Sequence, residues 1–167
     1  MLGAAGLALC TRTCGPVSAA AVKASAGAAE ALPVLAVERA AAFLDASVAN
    51  GWVVVAAVAE GLSGTGEPGL VWRRRGGGKE VRVCGVEEVL GRPIILAVGG
   101  EGEGLRESIR RRAEYFVRIN PVRSADEVGV DSLNVSVAAA LICQHLVSAS
   151  LAAAKTGENK NAVKELW

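Results

Sequence analysis

The sequence predicts an α/β fold, a parallel sheet with helices packed on both faces. Three observations carry this prediction. Strand-like and helix-like runs alternate along most of the chain. The strand-like runs are apolar at consecutive positions, WVVVAAV at 52–58 above all, as strands covered on both faces must be. Glycine-rich loops follow the carboxyl ends of strands, where open α/β sheets bind their ligands. The 167 residues make about one domain, long enough to bury a real core.

The elements follow in order. Residues 6–10, GLALC, read as a short buried strand. Pro16 suits the first turn of a helix over 16–30, which Gly27 weakens near its end. PVLAV at 33–37 is a short strand. ERAAAFLDASVAN at 38–50 suits a helix, with Ala41, Leu44 and Val48 at helical spacing and Asn50-Gly51 as its stop. The strand at 52–58 comes next. Residues 61–80 are polar and glycine-rich, with Arg73, Arg74 and Arg75 beside three glycines, and read as a flexible surface insertion. A short helix or turn is expected over 85–91, and a strand over 93–98 that empties into the loop GGEGEG at 99–104. A helix over about 104–113, the strand YFVRI at 115–119, a loop at 120–131 and a long helix from about Asn134 to Ala154 complete the domain, 1–156. A charged tail, 157–167, follows.

Composition excludes some functions. Eighteen basic and seventeen acidic residues nearly cancel, so bulk charge makes no case for nucleic acid and any RNA contact must be local. The four cysteines lack metal-ligand spacing, so no metal is expected, and they read as reduced thiols of an intracellular protein. His145 lies in an apolar helical run and is expected to be packed or partly exposed. The most apolar stretch, 135–154, is interrupted by Ser136, Gln144, His145, Ser148 and Ser150, so no membrane partner is expected. The first 29 residues contain no acid and resemble a transit peptide in composition; the alternative is folded domain, which the family resemblance given below favours.

The glycine loop poses a chemical question. Glycines after a strand usually cradle phosphate with backbone N–H groups and a nearby cation. Here Glu101 and Glu103 stand in the loop without a lysine. Two carboxylates beside a pyrophosphate would cost about 4 kcal/mol per close charge pair at an effective dielectric near 20. A ligand without phosphate, carrying positive charge, fits better. Downstream, Ser132 could cap the long helix and Asn134 can both donate and accept hydrogen bonds. Taken alone, these two residues fit a capped structural helix better than a site.

Together the two loops are more specific. PIILAVGGEGEGLR, then RINP about twenty residues on, then SLNVSVA, resemble the SpoU (TrmH-type) branch of the SPOUT RNA methyltransferases. The family's glycine-glutamate loop corresponds to Gly99–Gly104 and its Ile-Pro element to Ile119-Asn120-Pro121, with one residue interposed. SLNVS stands unaltered at Ser132–Ser136, and Lys23–Val34 also looks like the family. The resemblance covers roughly residues 3–154 and is nearest to organellar and bacterial large-subunit rRNA 2′-O-ribose methyltransferases.

The resemblance implies a C-terminal trefoil knot, a homodimer, S-adenosylmethionine as cofactor and RNA, most closely rRNA, as substrate. It implies that Gly99, Ile119 and Leu133 line the cofactor pocket, and that Glu101, Ser132 and Asn134 belong to the active site or its supporting hydrogen bonds. Localisation in a mitochondrion or other organelle follows from it, with the cytoplasm as the alternative. From the residues themselves, Arg106 and Arg110, at i and i+4 of the helix after the glycine loop, are candidates for RNA phosphate, against the alternative of a solvated, salt-bridged face. Arg73–Arg75 are weaker candidates.

One departure stands out. The family's first motif, Asn-x-x-Gly followed by an arginine, precedes the GLALC-type strand, and this sequence starts after it. Arg12 aligns beyond the strand and is no substitute. Two explanations are open: a piece of a longer product, or a shortened protein that keeps the cofactor pocket and acts as an RNA-binding or ribosome-assembly factor. Losing a buried strand leaves backbone groups unpaired, at about 1–3 kcal/mol each, and this favours the first explanation.

Overall fold

The computed structural model describes residues 3–59, 69–76, 81–100, 104–120 and 133–156. Among the described residues, seven strands and five helices follow one another: β1 (Leu7–Cys10), α1 (Ala19–Ala24), α2 (Ala28–Ala31), β2 (Val34–Val37), α3 (Ala40–Ala49), β3 (Val53–Ala57), β4 (Gly69–Arg75), β5 (Val81–Cys84), β6 (Ile94–Ala97), α4 (Glu107–Arg110), β7 (Tyr115–Asn120) and α5 (Val135–Thr156). A single 3₁₀ turn, Val86–Glu88, joins β5 to β6.

The strands form two sheets. β1 and β2 pair in parallel, Leu7 opposite Val34 through Cys10 opposite Val37. The other five lie in the order β5-β4-β7-β3-β6. Its β7-β3-β6 half is parallel, as expected. β4 runs antiparallel to both β7 and β5. Among the described residues, β6 and β1 each have one unpaired edge, and Leu7, Val34 and Leu35 of the small sheet are exposed.

Helices cover both faces of the large sheet. On one face Val53, Val55, Trp72, Tyr115 and Val117 pack with Ile142 of α5. On the other Val54, Ala56 and Phe116 meet Leu44 of α3 and Ile109 of α4. The VVVA run of β3 is therefore buried at every position, which is why it shows no polar alternation. Tyr115 is buried with its hydroxyl donating to the Glu88 carbonyl at 2.9 Å, so its polar end stays satisfied.

Several expectations shift. The helix over 16–30 is two helices, because Ala26 and Gly27 both take positive φ, 50° and 81°. It begins after Ser18, whose hydroxyl accepts from Ala21 N–H at 3.2 Å, so Pro16 lies outside it. In α3, Leu44 is buried but Val48 is 48% exposed; Phe43, not Val48, completes its inward face. Asn50-Gly51 stops α3 as expected, with Gly51 at φ 85°.

The largest correction concerns 61–80. Residues 69–75 are not a flexible surface insertion but β4, an interior strand of the large sheet. Trp72 and Arg73 are both buried. Arg75 lies over the Phe116 ring at 5.0 Å and donates to the carbonyls of Ala113 and Arg110 at 3.0 and 2.7 Å. The arginines bury their stems and deliver their charge to carbonyls and carboxylates, so a strand reads as polar loop. Residues 61–68 and 77–80 lie outside the described residues.

Helix α5 is one continuous helix, and Val135–Lys155 is long and apolar enough to cross a membrane by length and composition. It packs on the sheet through Ile142 and Leu146, while Val137, Leu141 and Leu151 face outward. Its His145 is half-buried and stacks on Trp72 with ring centroids 6.0 Å apart.

Candidate functional site

The glycine loop closes on itself. Gly100 and Gly104 form an antiparallel bridge, and Gly104 N–H donates to the Gly100 carbonyl at 3.3 Å. Gly104 holds φ at 62°, a conformation that favours glycine. Gly99 is fixed by close approach instead: a Cβ there would meet the Gly104 carbonyl carbon at 2.2 Å and the Leu105 nitrogen at 2.5 Å. Gly99 and Gly100 thus present backbone rather than side chains. Glu101 lies outside the described residues.

Gly99 follows β6 and Ile119 lies near the end of β7, with β3 between these two parallel strands. Two interstrand steps put the strand ends about 10 Å apart, at the carboxyl rim of the sheet. Ile119 is half-buried against the α5-side core. Leu133 is exposed and immediately precedes Asn134.

Asn134 caps α5. Its side-chain oxygen accepts from the Ser136 N–H at 2.9 Å and from the Ser136 hydroxyl, while its own carbonyl accepts from Ala138. The expected cap, Ser132, lies outside the described residues. The Asn-x-Ser of SLNVS is therefore a helix-start device as well as a signature, and capping occupies the amide oxygen of Asn134.

The donor set fits S-adenosylmethionine in kind. Close-approaching backbone after β6, apolar Ile119 and Leu133, and no cationic side chain among these three residues suit an adenosine carrying a sulfonium better than a phosphate. A separate cavity of about 370 Å³ lies on the small sheet, lined by Leu9, Cys14, Pro16, Val17, Val34 and Ala36 among others; none of the expected cofactor residues lines it.

The arginines divide into two groups. Arg111 pairs with Glu107 at 3.0 Å, and Arg112 grips Asp45 of α3 with two bonds of 2.7 and 2.8 Å. Arg74, Arg82 and Arg92 share Glu88 and Glu114. Glu88 and Asp45 are held below their ordinary carboxyl ranges, first by the hydrogen bonds from Arg82 and Arg112. Arg106 and Arg110 pair with no carboxylate among the described residues. The expected helix over 104–113 shortens to α4, since the chain turns at Arg111 and Arg112 and Arg75 takes the carbonyls of Arg110 and Ala113. Arg106 then stands just ahead of α4, exposed, and Arg110 ends it, half-buried. Arg73 and Arg75 are used within the fold rather than on a mobile surface.

Cys10, at the end of β1, is the one thiol whose pKa is lowered, first by a hydrogen bond from the Thr13 hydroxyl and then by backbone N–H donors, with Arg106 adding its field. Burial pushes Cys84 and Cys143 up instead. Sequence reasoning gave Cys10 no role, because nothing in the spacing reveals which backbone groups surround its sulfur.

The family profile of the SpoU rRNA Methylase family matches residues 1–144. The chain belongs to the SpoU rRNA methylase family. The match includes the glycine loop, the end of β7 and the start of α5. Among curated proteins, the chain is similar to rRNA methyltransferase 1, mitochondrial, of Saccharomyces cerevisiae, 30% identical over 154 residues, covering 88% of this chain and 35% of that protein. The protein of the same name from Homo sapiens is 28% identical, covering 90% of this chain and 40% of its own length. The chain thus spans well under half the length of these relatives.

Proposed function

We propose that this chain is the catalytic domain of an S-adenosylmethionine-dependent RNA 2′-O-ribose methyltransferase acting on large-subunit rRNA in the mitochondrion. The observation that carries the reading is a SpoU-family domain in which the glycine loop closes tightly at Gly99 and the SLNVS segment opens α5. The relatives' printed names support the rRNA substrate and the mitochondrial setting.

When bound, S-adenosylmethionine supplies a methyl group already activated on sulfur. The protein's work is then binding, orientation and proton removal. Gly99, Ile119 and Leu133 hold the cofactor, largely through backbone and apolar contact. Asn134 keeps the start of α5 in place. A ribose hydroxyl is a weak nucleophile and needs an acceptor for its proton; Glu101 and Ser132 are the residues we assign to that region. Arg106 and Arg110 take phosphates. The fold we assign includes a C-terminal trefoil knot, and the outward stripe of α5, Val137, Leu141 and Leu151, serves the contact between two copies.

Calorimetric titration with S-adenosylmethionine tests the cofactor assignment: a folded sample that gives no heat of binding sinks it. Tritium transfer from labelled cofactor to rRNA transcripts tests the reaction. Asn134→Ala lowers transfer by on the order of 10²-fold or more if the residue supports chemistry. A wild type that binds cofactor yet transfers no methyl group removes the catalytic reading.

A further inference from the structure

Three arginines that the expected contacts do not combine leave the chain near the carboxyl ends of β1 and β2 and the start of α3. Cys10 ends β1, and Thr11 N–H donates to the Val37 carbonyl at 3.0 Å, so Arg12 leaves the strand beside the end of β2. Arg39 follows two residues after Val37 and opens α3. Arg106 arrives from the other side. The Arg112–Asp45 pair and the packing of Ile109 in one cluster with Phe43 lay the segment 106–112 along α3. Arg106 thus lies toward the start of α3, which follows β2, and its charge is among the causes that lower the pKa of the Cys10 thiol.

All three arginines are exposed, and none pairs with a carboxylate among the described residues. Acids adjoin two of them in the chain, Glu38 beside Arg39 and Glu107 beside Arg106, and Glu107 is bonded to Arg111. The hairpin side differs, since Arg74, Arg82 and Arg92 there are each bonded to Glu88 or Glu114. Like charges gathered on one rim repel, and a polyanion lying across them relieves that repulsion.

We infer that Arg12, Arg39 and Arg106 form one phosphate-binding rim at the carboxyl ends of β1 and β2, across which an RNA backbone runs over Cys10. This rests on the RNA reading above and extends it by two residues, Arg12 and Arg39, and by a path for the strand.

The test measures binding of a fluorescein-labelled single-stranded rRNA fragment by anisotropy across a potassium chloride series. Compared are the wild type, the single variants Arg12→Gln and Arg39→Gln, the triple variant with Arg106→Gln, and Arg82→Gln on the hairpin side. In parallel, iodoacetamide alkylation of Cys10 is followed with and without saturating RNA. Three phosphate contacts on a single strand predict a salt slope shallower by about 2 in the triple variant, and affinity lower by about 100-fold near 0.1 M salt. Each single variant lowers the slope by about 0.7, with wild-type circular dichroism as the folding check. Arg82→Gln binds as the wild type, and RNA slows alkylation of Cys10 but not of Cys84. Wild-type RNA binding that keeps its slope in the triple variant, or a Cys10 that RNA leaves unprotected, overturns the rim alone. A wild type that binds no RNA overturns both the rim and the functional reading beneath it.

Discussion

Replacing Gly99 with alanine puts a methyl group where the loop's own backbone already stands. The added Cβ lies 2.2 Å from the Gly104 carbonyl carbon, 2.5 Å from its oxygen and 2.5 Å from the Leu105 nitrogen. Unbonded heavy atoms settle at about 3.5–4.0 Å, so backbone must part by about 1.5 Å. No flexible side chain can yield, since all three nearest atoms are main chain. The Gly100–Gly104 bridge opens, and with it the surface after β6. Overpacking of this kind costs about 1–3 kcal/mol, and each kcal/mol lowers the melting temperature by about 2–4 °C for a chain of this size. Cofactor affinity falls at least about tenfold, or about 1.4 kcal/mol. Gly100→Ala is the matched control, because a Cβ there meets nothing within 4 Å. Urea denaturation and calorimetry with S-adenosylmethionine read the two effects. Gly99→Ala that unfolds at the wild-type midpoint and binds cofactor undiminished would refute the packing argument and the role given to the loop.

Asn134→Ala removes the cap of α5 and lowers stability by about 1 kcal/mol in chemical denaturation, whereas Asn134→Asp retains it; equal losses would remove the capping account. Glu88→Gln carries a pH signature. The Arg82 guanidinium depresses the folded pKa of Glu88, so its stabilisation is present above the ordinary glutamate value of 4.5 and is lost as pH falls through the depressed value. The gap between wild type and Glu88→Gln in urea midpoints therefore closes in acid, and a constant gap from neutral pH to below about pH 3 contradicts the ion-pair assignment. Among the thiols, Cys10 is alkylated faster than Cys84 and Cys143 near neutral pH, as mass spectrometry of timed samples shows; faster labelling of either of the other two counts against the thiolate-stabilising turn.

Legibility followed how locally each element is determined. The VVVA run of β3 announced burial on both faces, and Asn50-Gly51 marked the end of α3, because these signals lie in adjacent residues. β4 is hidden in the sequence for the converse reason. Its period of two is present, Leu70, Trp72 and Arg74 toward Tyr115 and Val71, Arg73 and Arg75 toward Phe116, but three arginines disguise it. Two of them, Arg74 and Arg75, are held by carbonyls at Arg110 and Ala113 and a carboxylate at Glu114, some 35 to 40 residues away. Asn134 caps α5, and the cap that the sequence predicts, Ser132, lies outside the described residues. The outward turn of Val48 has no local signal; α4 and β3 settle which face of α3 is covered.

The sequence by itself determined the alternation of strands and helices, the two loops that carry the family's signature, and the membership those loops imply, since each is written in contiguous residues. Only the tertiary structure decided that β4 lies inside the sheet, that Gly99 is held by contact with Gly104 rather than by an unusual φ, and that Arg112 grips Asp45 of α3. The physical reason is the same in each case: burial, steric contact and electrostatic neighbourhood join residues far apart in the chain. Their effect on a side chain is set by what the fold brings beside it.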